Sequence, residues 1–162
     1  MAQFVDLSLR ALVKLTPVMG APKTYLAASI IHDSLNNDIK SKLDKTRFRS
    51  DSDTDYETIL NRGMSFLRIL GGFKSSIIFE KASAICPELK YLAPVDIYGR
   101  IVSSGQIMPL KETELCIYAS AVAQGIPLIG EPHARGAIYF GATDDEIEAA
   151  RNLGIMALNM IS

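Results

Sequence analysis

The spacing of its apolar residues most constrains what this chain can fold into. Large aliphatic and aromatic side chains recur every three or four positions along most of the sequence, which is the period of an amphipathic α-helix. Period-two alternation, which would indicate half-buried strands, is not sustained anywhere in the sequence. Glycine and proline cut the helical pattern into separate segments. The sequence therefore predicts an all-α fold.

The individual helices are predicted from these interruptions and from their capping residues. Thr143 and Glu146 form a capping box, which marks the start of the last helix. The stretch 46–55 is polar and changes from basic to acidic, so it is predicted to be a linker. The predicted helices are a short one over 4–15, then Pro22–Leu43, Tyr56–Leu70, Phe73–Ile85, a segment over Val95–Val102 opened by Pro94, Met108–Ala123, Pro132–Phe140, and a last one from Thr143 to the end of the chain.

Composition narrows the classes of function. The chain has 162 residues, 48% of them hydrophobic, which is enough for one buried domain. A net charge of -1 argues against nucleic-acid binding, and charged residues interrupt every apolar run that could cross a membrane. Cys86 and Cys116 match neither a disulfide framework nor a metal knuckle, which favours a reducing compartment. The predicted location is the cytoplasm, with the mitochondrion as the alternative.

One stretch carries a recognisable motif. It reads LKETEL at 110–115 and EPHARGAIYFGATDDEI at 131–147. With RGMSFLRILGG at 62–72, CPEL at 86–89 and YGRIVSS at 98–104, it resembles the carboxymuconolactone decarboxylase family, which is related to alkylhydroperoxidase D. The resemblance covers about 57–160. It implies an oligomeric, alkylhydroperoxidase D-like helical bundle, which in this family forms trimers or hexamers.

The domain organisation follows from the extent of that resemblance. Residues 57–162 are expected to form the domain that resembles the family, and residues 1–50 an N-terminal helical segment. The order LSLRALVKL then His32 in this segment is similar to LKETELCIY then His133. Chance similarity between amphipathic helix pairs and a degenerate internal repeat are the two alternatives.

The resemblance also implies which residues form the site. Glu114 takes the place of the family's helix-borne Glu, and His133, nineteen positions later, that of its His. In the peroxidase branch a CxxC pair stands seven and four residues before the His, but those positions are Ile126 and Ile129 here. Thiol peroxidase activity is therefore not expected.

The expected function is decarboxylation of a small carboxylated lactone without metal or organic cofactor, in which His133 donates a proton and Glu114 orients its ring. Arg135 offers a bidentate fork for a substrate carboxylate, and Glu131 and Tyr118 complete the predicted substrate-binding residues. Each has a structural alternative, such as a surface i, i+4 pair between Glu131 and Arg135. The alternative function is a non-catalytic oligomeric binding or scaffold protein with the same fold.

Overall fold

The computed structural model describes residues 1–45, 55–71, 80–81 and 83–160, and every regular element within these ranges is helical. The predicted all-α class is therefore confirmed. None of the described helices is long and apolar enough to cross a membrane. The elements are α1 (Ala2–Met19), α2 (Ala21–Ser34), α3 (Asn37–Ser41), α4 (Tyr56–Gly71), the short α5 (Leu89–Tyr91), a π-helix (Leu92–Val102), α6 (Leu110–Ala123), α7 (Pro127–Tyr139) and α8 (Asp144–Asn159).

Helix α6 lies at the centre of the arrangement. It packs against both α7 and α8, and α4 packs against the π-helix. Helix α1 contacts α6 and the π-helix, while α2 packs on α1. The N-terminal helix thus joins the same core as the helices that carry the motif.

The core lies where α4, the π-helix and α6 meet. Its buried members are Phe66, Leu70, Val102 and Ile117. The Phe66 ring stacks on Phe140 with 5.5 Å between the ring centroids. This apolar cluster fixes the inner face of α6, from which Glu114 projects.

The crossing of α4 and the π-helix depends on two glycines. A Cβ on Gly99 would lie 2.6 Å from the carbonyl oxygen of Ile59, and a Cβ on Gly63 would lie 2.8 Å from the amide nitrogen of Gly99. The backbones can therefore approach this closely only without side chains at these positions. The Arg62 guanidinium also donates from Nε to the Gly99 carbonyl, at 2.9 Å.

Several predicted helix boundaries are wrong. The helix predicted over Pro22–Leu43 is broken, because Leu35 is extended and the Asn36 side chain caps α3 by accepting from the amide of Ile39. Pro94 stands inside the π-helix rather than opening a helix. The capping box at Thr143 and Glu146 is present as predicted.

The start of the helix that carries His133 is also corrected. The sequence predicts a start at Pro132, but α7 begins at Pro127 and contains Pro132 in its interior. Pro132 has no amide hydrogen to donate to the Leu128 carbonyl, so the helix continues through this position without that hydrogen bond. His133 therefore lies beyond the first turn, where the helix dipole acts on it less than expected.

Two predicted segments fall largely outside the described residues. The linker predicted over 46–55 overlaps the described ranges only at Asp55, which precedes α4. Of the helix predicted over Phe73–Ile85, only 80–81 and 83–85 are described, and these residues are helical.

Candidate functional site

Helices α6 and α7 bring together the two residues that the motif singles out. Nδ1 of His133 lies 2.9 Å from Oε2 of Glu114. Both residues are buried, with 0% of Glu114 and 3% of His133 exposed. The spacing of nineteen positions therefore corresponds to a direct hydrogen bond between facing turns of two packed helices.

Gly136 provides the space for this contact. A Cβ at this position of α7 would overlap Oε2 of Glu114 and would lie 2.5 Å from Cδ2 of Leu70. A side chain here would displace the carboxylate from His133. Gly136 was not among the residues predicted from the sequence, although a glycine in the middle of a helix is unfavourable and can indicate such a close approach.

Burial dominates the electrostatics of the pair. Loss of solvent raises the pKa of Glu114, while the hydrogen bond from His133 and the charges of His133 and Lys14 oppose the rise. Within the described part of the chain, Oε1 of Glu114 has no hydrogen-bond partner. The carboxyl group is thus held by one oxygen in a medium that disfavours its charge.

Tyr98 of the π-helix continues the line of polar groups. Its hydroxyl lies 3.5 Å from Nε2 of His133, and the two rings are nearly parallel, with centroids 6.2 Å apart. Burial and then the charge of Glu114 raise the pKa of Tyr98 to about 12. The hydroxyl therefore stays protonated at neutral pH. Tyr98, His133 and Glu114 form a continuous line of hydrogen-bonded side chains with the neutral phenol at one end.

Lys14 is a buried cation that sequence analysis missed as part of this region. Its side chain is 0% exposed, and Nζ donates to the carbonyls of Ile101, Val102 and Ser104 at 2.8, 2.9 and 2.6 Å. The ammonium thereby caps the end of the π-helix, where backbone carbonyls lack the full set of donors of a helix interior. The sequence signal was a lysine within the apolar stretch 12–15.

Two of the three predicted substrate-binding residues line a groove that the pair does not line. Tyr118 and Glu131 line a groove of about 290 Å³ between the end of α6 and the start of α7, and neither Glu114 nor His133 lines it. Arg135 instead donates to the carbonyl of Leu70, at 3.4 Å. Tyr118 and Glu131 thus lie together at the groove, while the Arg135 guanidinium engages the end of α4.

Metal and thiol chemistry find no support in the described ranges. No cluster of three His, Cys, Asp or Glu side chains there is arranged to hold a metal ion. Cys86 and Cys116 are both free thiols. Burial, and then the charge of Glu112, raise the pKa of Cys116, so its reactive thiolate is disfavoured.

Comparison with known proteins identifies two relatives. The chain is 26% identical over 145 residues to Peroxisomal protein 2 of Schizosaccharomyces pombe, an alignment that covers 90% of this chain and 65% of that protein. It is 30% identical over 82 residues to Peroxisomal protein 2 of Saccharomyces cerevisiae, covering 51% of this chain and 29% of that protein. The chain thus spans less than two thirds of either relative. No family model matches the chain, and no solved structure matches it either.

These relatives correct two predictions. The expected decarboxylase activity, and with it the assignment to the lyases, is wrong, because the relatives are named as peroxisomal proteins and not as decarboxylases. The burial of Glu114 and His133 gives a physical reason for the same correction. The predicted cytoplasmic location, with its mitochondrial alternative, is contradicted by the same names.

Proposed function

We propose that this chain is a peroxisomal, non-catalytic binding protein that assembles with copies of itself on an alkylhydroperoxidase D-like fold. The observation that carries the proposal is the burial of His133 and Glu114, the two residues at the centre of the motif. The side chains of His133 and Glu114 are only 4% and 0% exposed, so the pair is enclosed by the surrounding residues and not presented to solvent. An acid or base that cannot touch its substrate cannot transfer a proton to it.

The proposed fold rests on the packing of α6 against α7. The Glu and the His of the motif meet at 2.9 Å, and Gly136 leaves room for the carboxylate between them. In the proposed role, the pair stabilises the interface between these helices. A buried hydrogen bond to a charged group contributes about 1.5–3 kcal/mol to stability, which is a sufficient reason to keep both residues without catalysis.

The proposed location rests on the relatives. Both are named as peroxisomal proteins, and the S. pombe alignment covers nine tenths of this chain. Co-fractionation of the native protein with a peroxisomal matrix marker is the expected result. Recovery with cytosolic or mitochondrial markers would contradict this part of the proposal.

Self-association is supported by the exposed face of α2. This helix carries one Lys and one Asp, and Thr24 is its buried residue. Tyr25, Leu26 and Ile30 are 75%, 62% and 61% exposed. With Pro22, which is also exposed, they form one stripe at helical spacing, which we call the α2 stripe. Ser29 and Asp33 share this face, so the stripe is a cluster of exposed large apolar side chains, a feature typical of a protein interface.

Light scattering after gel filtration tests the proposed assembly, with a trimer or a hexamer as the expected mass. Leu26→Glu places a charge in the middle of the α2 stripe and should shift the mass to that of the monomer. The variant should still unfold in a cooperative thermal transition, which shows that the monomer remains folded. Asn61→Glu adds the same charge at an exposed position of α4 and should leave the mass unaltered. A monomeric wild-type protein, or an unchanged mass for Leu26→Glu, would overturn the assembly proposed through this face.

A further inference from the structure

We propose that the groove between α6 and α7 binds a small apolar molecule that carries a protonated amine. The inference rests on the proposed binding function and assigns its ligand class. The groove has a volume of about 290 Å³, near the lower end for small-molecule sites. Ala121, Val122 and Ile126 supply an apolar lining, the Tyr118 ring a wall, and Glu131 a carboxylate.

Gly130 indicates that the groove is a site and not an accident of packing. It lies inside α7 without a positive φ, where alanine has the higher helix propensity. A Cβ here would make ordinary contacts, 3.5 Å from Cδ2 of Tyr118 and 3.6 Å from Cβ of Ala121. The fold therefore accepts alanine and would gain from it. The absence of a side chain at Gly130 leaves open space in the groove, although alanine would make the helix more stable.

This position contrasts with Gly136, further along the same helix. There a Cβ would collide with the Glu114 carboxyl group, so packing alone requires the glycine. At Gly130 packing imposes no such requirement. The two glycines of α7 are thus retained for different reasons, and only Gly130 faces the groove.

The charge of the groove selects the ligand's head group. Helix α6 ends and α7 begins beside it, and the partial charges at two such helix ends are opposite and about equal, so they largely cancel. The carboxylate of Glu131 remains as the net charge, and none of the residues that line the groove is basic. A cation is therefore favoured there, and a carboxylate ligand, which the sequence predicts, is disfavoured.

Calorimetric titration of the full chain with hexylammonium, 1-hexanol and hexanoate tests the proposal, because these probes share one apolar tail and differ in charge. Hexylammonium should bind at least tenfold more tightly than hexanoate. Glu131→Gln should abolish the preference for hexylammonium over 1-hexanol. Glu57→Gln, which removes an exposed carboxylate from α4, should preserve that preference.

Gly130→Ala supplies the second readout. It should weaken hexylammonium binding at least tenfold and at the same time maintain or raise the melting temperature. A merely structural glycine would instead lose stability on substitution. The proposal is overturned if hexylammonium shows no saturable binding, if hexanoate binds equally well, or if Gly130→Ala lowers stability or leaves the affinity unchanged. The mass of the oligomer and its location are measured independently, so failure here is distinguishable from failure of the proposed function.

Discussion

Lys14 offers the most informative single perturbation of the fold. Its ammonium group is fully buried and donates to three backbone carbonyls at the end of the π-helix. Lys14→Met keeps the length and apolar character of the side chain but removes the charge and its donors. The three carbonyls then lose their common donor in a site that water does not reach.

The expected cost follows from the burial and the number of acceptors. A buried acceptor that loses its donor costs about 1–3 kcal/mol, which is a large share of the roughly 5–15 kcal/mol that holds a domain together. Urea denaturation followed by circular dichroism measures the loss. With a dependence of about 2 kcal/mol per molar urea, the midpoint should fall by about 1 M.

The matched control is Lys42→Met. Lys42 is exposed and pairs with Asp38 at the surface, an interaction worth about 0–1 kcal/mol. Its midpoint should therefore remain close to that of the wild type. If Lys14→Met shifted the midpoint no further than Lys42→Met, the reasoning that the buried ammonium holds α1 to the π-helix would be refuted.

Three further outcomes are expected. Gly136→Ala should lower the free energy of unfolding by about 1–2 kcal/mol, because overpacking against Glu114 and Leu70 outweighs the gain in helix propensity, and a stabilised variant in urea denaturation would contradict the close approach. Burial raises the pKa of Glu114 above its unfolded value, so its contribution to stability is complete below about pH 4.3 and declines as the pH rises toward the folded pKa. The free energy of unfolding of the wild type should therefore fall relative to Glu114→Gln over this window, whereas a difference independent of pH would exclude the raised pKa. Thr143→Ala removes the side-chain cap of α8 and should cost about 1 kcal/mol in a thermal melt, and an unchanged melting temperature would show that the cap is dispensable.

The sequence predicted the class of the fold because helical periodicity reports on local structure. It placed the boundaries less well where two signals compete. Pro127 and Pro132 both suit a first turn, and the helix begins at Pro127 and continues through Pro132. The chain is extended at Leu35 and restarts as a helix at the Asn36 cap, although the apolar pattern continues through both residues. Such competitions are decided by packing and solvent access, which a single sequence does not display.

The site shows the same division. The contact between Glu114 and His133 was accessible because both lie on motif-bearing helices at a recognisable spacing. The contacts of Lys14 could not be predicted, because they include backbone carbonyls about ninety positions away, and a carbonyl leaves no signal in the sequence. Burial of the pair was likewise invisible, since it depends on the packing of α4, the π-helix and α7 around it. The expected enzyme was therefore inferred from residues whose chemistry is present but enclosed.

The chain's two histidines allow a direct test of this enclosure. Diethyl pyrocarbonate acylates accessible imidazole groups, and the His32 side chain is 54% exposed whereas that of His133 is 4% exposed. Peptide mass spectrometry of the folded protein should show rapid modification of His32 and protection of His133, with both modified after denaturation. Modification of His133 at a rate comparable to that of His32 in the folded protein would contradict the account, because the pair would then be open to a substrate.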